Sequence, residues 1–147
     1  MTRKNKYKTD LILFLEGGFI AVNQMDEESA RKLFAAAALV DPENSMPTVG
    51  IGYIHLQKLE LTKAITHFEK VIKDEPENEM AKTFLGICFS LAPNKENEGE
   101  KILKQTIKSN DPLIKRLSHD SLEFVEKFVK KALPPNAPTS SKAAKTK

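Results

Sequence analysis

The sequence contains one cysteine, Cys88, and no tryptophan among its 147 residues. A single cysteine excludes an intrachain disulfide and a thiolate metal cluster, and it suits a reducing compartment. The chain also lacks an apolar run of roughly 18 residues, the length that a membrane-spanning helix needs. Three lysines precede an apolar segment at residues 11–22, but Glu16 interrupts that segment and no small-x-small cleavage site follows. We therefore expect neither a signal peptide nor stable membrane insertion.

The body of the chain carries no excess of basic charge. The formal net charge is +3, but four cations precede Asp10 and three follow Leu133, which leaves −4 for residues 10–133. Nucleic-acid-binding proteins carry a basic stripe on their folded surface, so we expect no nucleic-acid partner. Residues 1–9 are predicted to form a basic N-terminal arm. Residues 133–147, rich in Pro, Ser, Ala and Lys, are predicted to be a disordered tail.

Residues of matching kind recur along the chain at an interval of 34. The recurring sets are Gly18, Gly52 and Gly86; Ala30 and Ala64; Phe34 and Phe68; Pro42 and Pro76; and Asn44 and Asn78. Small residues let two helices approach closely, an aromatic ring fills the wedge between them, and a proline ends the second helix. Asn44 or Ser45, and Asn78, are predicted to cap the helix that follows. The period therefore predicts stacked pairs of antiparallel helices.

The third unit departs from this spacing. Gly99 lies 13 residues after Gly86, where the earlier units have 12, and Pro112 lies 13 further on. We interpret this as a lengthened turn around Pro93 and two small insertions. Apolar periodicity predicts helices at 10–23, 26–40, 45–58, 61–74, 79–91, 96–109 and 113–132. The last of these is expected to cover the apolar end of the array with one apolar side, formed by Leu113, Leu117, Leu122, Phe124, Val125, Phe128 and Val129.

Within each unit, the order of small residue, alanine, aromatic, small residue and proline resembles the tetratricopeptide repeat. The resemblance implies an all-α fold, a right-handed α-solenoid of three helix-pair repeats with a C-terminal capping helix. The repeat domain would span residues 10–132. Its repeats would be 11–44, 45–78 and 79–112, and its capping helix 113–132.

In such an array the first helix of each pair lines the concave side. The predicted groove residues are Ile12, Leu15, Phe19, Val22, Met46, Val49, Tyr53, Leu56, Met80, Thr83, Ile87 and Ser90. None of them is charged, which predicts a hydrophobic groove for an amphipathic helix or an extended segment, with Phe19 and Tyr53 as aromatic anchors. Alternatively, the register is displaced by one residue, or the capping helix or a second copy covers this face.

The sequence contains no constellation typical of catalysis. His55, His67 and His119 do not have the spacing of a metal site, and Cys88 has no histidine close to it in the sequence. We expect His55 and Cys88 to be packed side chains. The chain is accordingly predicted to have no enzymatic activity, no cofactor and no bound metal.

The segment from Phe14 to Gly18, the apolar groove and the capping helix together resemble the small bacterial chaperones of type III secretion. The resemblance implies a cytoplasmic protein that sequesters an aggregation-prone needle subunit by burying its amphipathic helix, together with a small helical co-chaperone. The translocator chaperones of the same group, which hold an extended proline-containing segment, are the second possibility. A repeat scaffold or assembly adaptor is an alternative of a different class, and a regulator whose basic ends touch nucleic acid is a third.

Overall fold

A computed structural model describes residues 2–132, and over this range the chain is helical apart from short turns. The helices are α1 Arg3–Asn23, α2 Glu27–Val40, α3 Met46–Gln57, α4 Leu61–Asp74, α5 Glu79–Leu91, α6 Glu96–Thr106, α7 Pro112–Phe124, a π-helical turn Val125–Val129 and α8 Lys130–Ala132. The predicted all-α class is confirmed. None of the described helices combines the length and the apolar character required to cross a bilayer. The tail predicted at 133–147 lies outside the described residues.

The chain divides into two compact units, and the division falls within α5. The first unit ends at Ala81 and the second begins at Lys82. In the first unit α1 packs against α2 and α3 packs against α4, while α3 also contacts α1 and α2. In the second unit α6 contacts α7, and the π-helical turn contacts both α7 and α8. The first unit is therefore built from two neighbouring helix pairs.

The helix bounds differ from the predicted ones at two places. Helix α1 begins at Arg3 and not at residue 10, so the predicted basic arm forms the first turns of this helix. No proline or glycine separates Arg3 from Asp10, and the residues between them are acceptable helix formers. Helix α6 ends at Thr106 rather than 109, because the chain then turns to start α7. In that turn Asp111 accepts a hydrogen bond from the Leu113 backbone N–H at 2.9 Å.

Aromatic rings fill the space between paired helices in the first unit, as predicted. Phe34 is 1% exposed and Phe68 is fully buried. A Cβ atom at Gly50 would lie 2.3 Å from Phe34 Cζ, and one at Gly52 would lie 2.7 Å from Phe68 Cε1. Glycine is required at both positions because any side chain would occupy the space of the ring. In the second unit the buried side chain of Leu103 takes the matching place beside Gly86.

The turn between the two helices of each pair contains a residue in the left-handed region. Met25, Leu59 and Asn94 have φ values of 61°, 57° and 64°. After the first two of them, the next N–H bonds back over five residues: Asp26 N to Ala21 O and Glu60 N to His55 O, both at 2.9 Å. This hydrogen-bond pattern is that of the Schellman motif, which ends a helix. Since Asn94 follows Leu59 by 35 residues rather than 34, the lengthened third turn is confirmed.

Two asparagines cap the helices that follow the inter-repeat loops, as predicted. The side-chain oxygen of Asn44 accepts from Met46 N at 2.9 Å, and that of Asn78 accepts from Ala81 N at 3.0 Å. The two loops are also joined, because Ser45 Oγ donates to Glu75 Oε2 at 2.7 Å. Pro112 does not belong to such a loop. It is the first residue of α7.

Candidate protein-binding surface

The first unit presents an aromatic pair where α1 meets α3. The ring centroids of Phe19 and Tyr53 lie 6.2 Å apart, and the Phe19 ring packs edge-on against Phe34 at 5.1 Å. Phe19, Tyr53 and Leu15 are partly buried and rest on the core of this unit. We call the partly exposed residues Ile12, Leu15, Phe19 and Tyr53 the α1/α3 face. The predicted aromatic anchors are therefore neighbours.

A short polar network borders the aromatic pair. Tyr53 OH donates to Asn23 Oδ1 at 2.8 Å and accepts from Gln57 Nε2 at 2.7 Å. Both amide side chains are exposed. The network holds the phenol in one orientation. It uses one polar atom of each amide, Asn23 Oδ1 and Gln57 Nε2. Sequence reasoning missed these two residues, although their own separation of 34 places them at equivalent repeat positions.

Several predicted groove residues belong to the core and offer no surface. The exposed fractions are 3% for Val22, 0% for Val49, 8% for Leu56, 0% for Thr83 and 1% for Ser90. In the first unit, α1 and α3 each contact both their own partner helix and the neighbouring pair, so neighbouring helices cover a larger part of their surface than the groove prediction assumes. For these side chains the prediction of an accessible lining was wrong. The accessible ones are Ile12, Leu15, Phe19, Met46, Tyr53, Met80 and Ile87.

In the second unit, an open cleft of about 310 Å³ lies between α5 and α7. Its walls include Ile87 and Leu91 from α5 and Phe124 from α7. The helix at 112–124 leaves much of its apolar surface in solvent, since Leu113 is 61% exposed and Phe124 is 48% exposed. Its buried side is formed instead by Ile114, Ser118 and Val125. Of the side chains expected to cover the end of the array, Val125 is buried, but Leu113, Phe124 and Phe128 are exposed, and for these three the expectation was wrong.

The surroundings of the His55 and Cys88 side chains indicate a structural role. The imidazole of His55 is buried, and its Nδ1 lies 2.5 Å from Glu60 Oε2. This hydrogen bond, with further help from Lys58 and Lys63, lowers the pKa of Glu60. Cys88 is fully buried, and burial raises the pKa of its thiol to about 12. A thiol that stays protonated is a poor nucleophile, so both residues are packed side chains, as expected.

An exposed group on α7 has the chemistry of metal ligands. The ligand atoms of His119, Asp120 and Glu123 lie within 4.8 Å of one another. The carboxylates already pair with nearby cations, Asp120 with Arg116 of α7 at 3.7 Å and Glu123 with Lys127 of the π-helical turn. The arrangement is that of ion pairs on a helix surface.

Comparison with family models, with curated proteins and with solved structures finds no match for this chain. The residues of the chain and their packing are therefore the basis for assigning a function.

Proposed function

We propose that this chain is a protein-binding module of three tetratricopeptide-like repeats in a right-handed α-solenoid, and that it binds an amphipathic helix on the α1/α3 face. The observation that carries this proposal is the Phe19–Tyr53 pair, which is half-buried on the core and half in solvent. Anchored aromatic rings contribute most to binding because they are already ordered before the partner arrives.

The chemistry around this pair favours an apolar partner. Ile12 is 46% exposed, Leu15 is partly exposed, and none of the four side chains of the α1/α3 face carries a charge. A helix that presents apolar side chains at intervals of three and four residues would bury them against such a surface. Met46 and Met80, both partly exposed, add flexible side chains that adapt to partners of different shape.

In its specific form, the proposal is a bacterial type III secretion chaperone that sequesters a needle subunit, with a small helical co-chaperone. Its support is the sequence resemblance at Phe14–Gly18 and the uncharged face. The two glycines of this motif have a packing role, because a Cβ at Gly18 would lie 2.5 Å from the Phe34 ring and one at Gly17 would lie 3.3 Å from Leu33. Burying the self-associating face of a subunit would delay its polymerisation until export.

A second candidate is the binding of an extended segment, as in the translocator chaperones. The observation in its favour is the pair of exposed amides at Asn23 and Gln57 beside Tyr53. Amide side chains donate to and accept from a peptide backbone, which an extended segment exposes and a helix does not.

Titration calorimetry with two synthetic peptides tests the proposal. One peptide is an amphipathic helix and the other is an extended, proline-containing segment of equal hydrophobicity. Tyr53→Glu should weaken binding of the helical peptide by at least about tenfold while circular dichroism stays unchanged. Leu39→Glu is the matched control, since it adds the same charge at an α2 side chain that is 85% exposed. Preference for the extended peptide would favour the second candidate.

Co-expression separates a chaperone from a general adaptor. The wild-type chain should keep a needle-type subunit soluble, and Tyr53→Glu should let that subunit aggregate. Equal affinity of wild type and Tyr53→Glu for both peptides would remove the α1/α3 face from the binding site.

A further inference from the structure

Helix α7 and the π-helical turn carry an apolar stripe in solvent, formed by Leu113, Leu117, Phe124 and Phe128. Leu113 and Phe128 are each 61% exposed, Phe124 is 48% exposed, and Leu117 is partly exposed. The rings of Phe124 and Phe128 are 5.0 Å apart. We call these four residues the α7 stripe. The stripe consists of two apolar pairs, one on each side of Asp120, and exposed apolar surface of this kind on a helix marks an interaction site.

The spacing of the stripe is that of a coiled-coil seam. Intervals of four, three and four residues connect Leu113, Leu117, Asp120 and Phe124, so the seam has one polar position at its centre. A regular continuation would place Lys127 on the seam. The π-helical turn Val125–Val129 accommodates one additional residue, so the seam continues at Phe128 and the lysine moves aside. The local geometry therefore extends the apolar stripe by one further side chain.

The α7 stripe has the same residue spacing in both directions along the helix. Four residues separate Leu113 from Leu117, and four separate Phe124 from Phe128. We propose that two copies of this chain associate through antiparallel α7 stripes, around a two-fold axis between Asp120 and Ser121. Leu113 then faces Phe128 of the second copy, and Leu117 faces Phe124 of the second copy. Each leucine meets an aromatic ring, and the symmetry makes the interface self-complementary.

Charges beside the stripe fit the antiparallel arrangement. The side chains of Arg116 and Glu123 are 84% and 50% exposed, and seven residues separate them, which places both along one edge of the seam. Antiparallel pairing about this axis brings Glu123 of the second copy to within two residues, about 3 Å along the helix, of the level of Arg116. These long side chains can span that offset, and the contact occurs twice by symmetry. Antiparallel pairing also sets Asp120 opposite Ser121. Parallel pairing would instead place the two Asp120 carboxylates against each other.

The present partners of these charges do not prevent such pairing. Arg116 contacts Asp120 at 3.7 Å, and Glu123 contacts Lys127 of the π-helical turn, and all four side chains are exposed. Exposed ion pairs of this kind contribute little and exchange readily. Since one stripe per copy is a small interface, we expect a weak dimer that depends on concentration.

Sedimentation equilibrium of the full chain, from about 1 to about 500 µM, tests the proposal. The wild type should shift from the 16.5 kDa monomer toward a dimer. Phe124→Glu should abolish the dimer, and Leu39→Glu, the same change at an exposed residue of α2, should leave it intact. Tyr53→Glu should also leave it intact, which separates this proposal from partner binding on the α1/α3 face.

Charge exchange tests the antiparallel register. Arg116→Glu and Glu123→Arg should each weaken self-association at least about tenfold, because each places like charges opposite one another. An equimolar mixture of the two variants should recover a heterodimer, since every pair is then of opposite charge. A wild type that stays monomeric throughout, a dimer that Phe124→Glu leaves unchanged, or a mixture that fails to recover would each overturn the proposal.

Discussion

The first and second units follow the same backbone pattern with different side chains. Buried alanines, Ala30 and Ala64, lie at one equivalent position in the two helix pairs of the first unit, and the second unit has Gly99 there. The wedge is an aromatic ring twice in the first unit and is Leu103 in the second. The period therefore predicts which positions pack, and the neighbouring side chains decide which residue fits.

Two contacts of the second unit explain why its residues differ from those at the equivalent positions of the first unit. A Cβ atom at Gly99 would lie 2.4 Å from the backbone nitrogen of Ser90, so α5 and α6 approach too closely for alanine. Thr106, which is buried, stands where the first unit has Ala37 and Val71. Its hydroxyl lies 2.7 Å from Ser118 Oγ and joins α6 to α7. The second unit thus replaces part of the apolar packing with close backbone contact and a buried hydrogen bond.

The largest effect is expected from removing the wedges. Phe34→Ala and Phe68→Ala should each lower the free energy of unfolding by about 3–5 kcal/mol, through lost burial and a residual cavity. Leu103→Ala should cost less, about 2–3 kcal/mol, since the side chain is smaller. Urea unfolding followed by circular dichroism measures all three, with exposed Leu39→Ala as the control. Wild-type midpoints for both phenylalanine variants would refute the repeat register.

A smaller effect should distinguish Gly99 from Gly17 of α1. Gly99→Ala should destabilise by about 1–3 kcal/mol, because the new methyl group meets backbone atoms that cannot move aside. Gly17→Ala is the matched change in a helix, and its Cβ would lie 3.3 Å from the mobile end of Leu33. That variant should be neutral or slightly stabilising. Equal urea midpoints for the two variants would contradict the close contact of α5 with α6.

Replacing the left-handed turn residues by glycine should raise, and not lower, the stability of the protein. Leu59→Gly should stabilise by about 0.5–1 kcal/mol, because glycine adopts a positive φ without steric cost. The side chain of Leu59 is 70% exposed, so little burial is lost. Asn94→Gly should gain less, since asparagine already tolerates this region. Thermal unfolding compares the two, and a larger gain at Asn94 would contradict the expectation that a positive φ costs Leu59 more than it costs Asn94.

The smallest effect is expected at Glu75. Donation from Asn78 and then from Ser45 lowers the pKa of this carboxyl below its ordinary value of 4.5. Its stabilising contribution is therefore present above the unfolded-state pKa and is lost as the pH falls through the lower folded-state value. Glu75→Gln should flatten the fall in urea midpoint between about pH 6 and about pH 3. An unchanged acid dependence would show that the joined loops do not contribute to stability.

Sequence reasoning predicted the helix bounds well where residues that end or cap a helix are present. The bounds of α2 to α5 agree to within one residue, because prolines, asparagines and the 34-residue period mark each end. It failed at the start of α1, where a cluster of cations has no breaking residue and charge alone does not separate an arm from a helix. It also missed Asn23 and Gln57, whose role depends on the position of the Tyr53 hydroxyl.

The sequence by itself determined the helical class, the pairing of helices and the wedge residues of the first unit, because periodicity and small-residue spacing are local properties of a chain. Only the tertiary structure decided which side chains of a helix remain in solvent. Val49 and Tyr53 belong to the same predicted face, yet Val49 is fully buried and Tyr53 is partly exposed. Burial depends on how much of a helix's circumference the neighbouring helices cover, and a repeat pattern does not specify this.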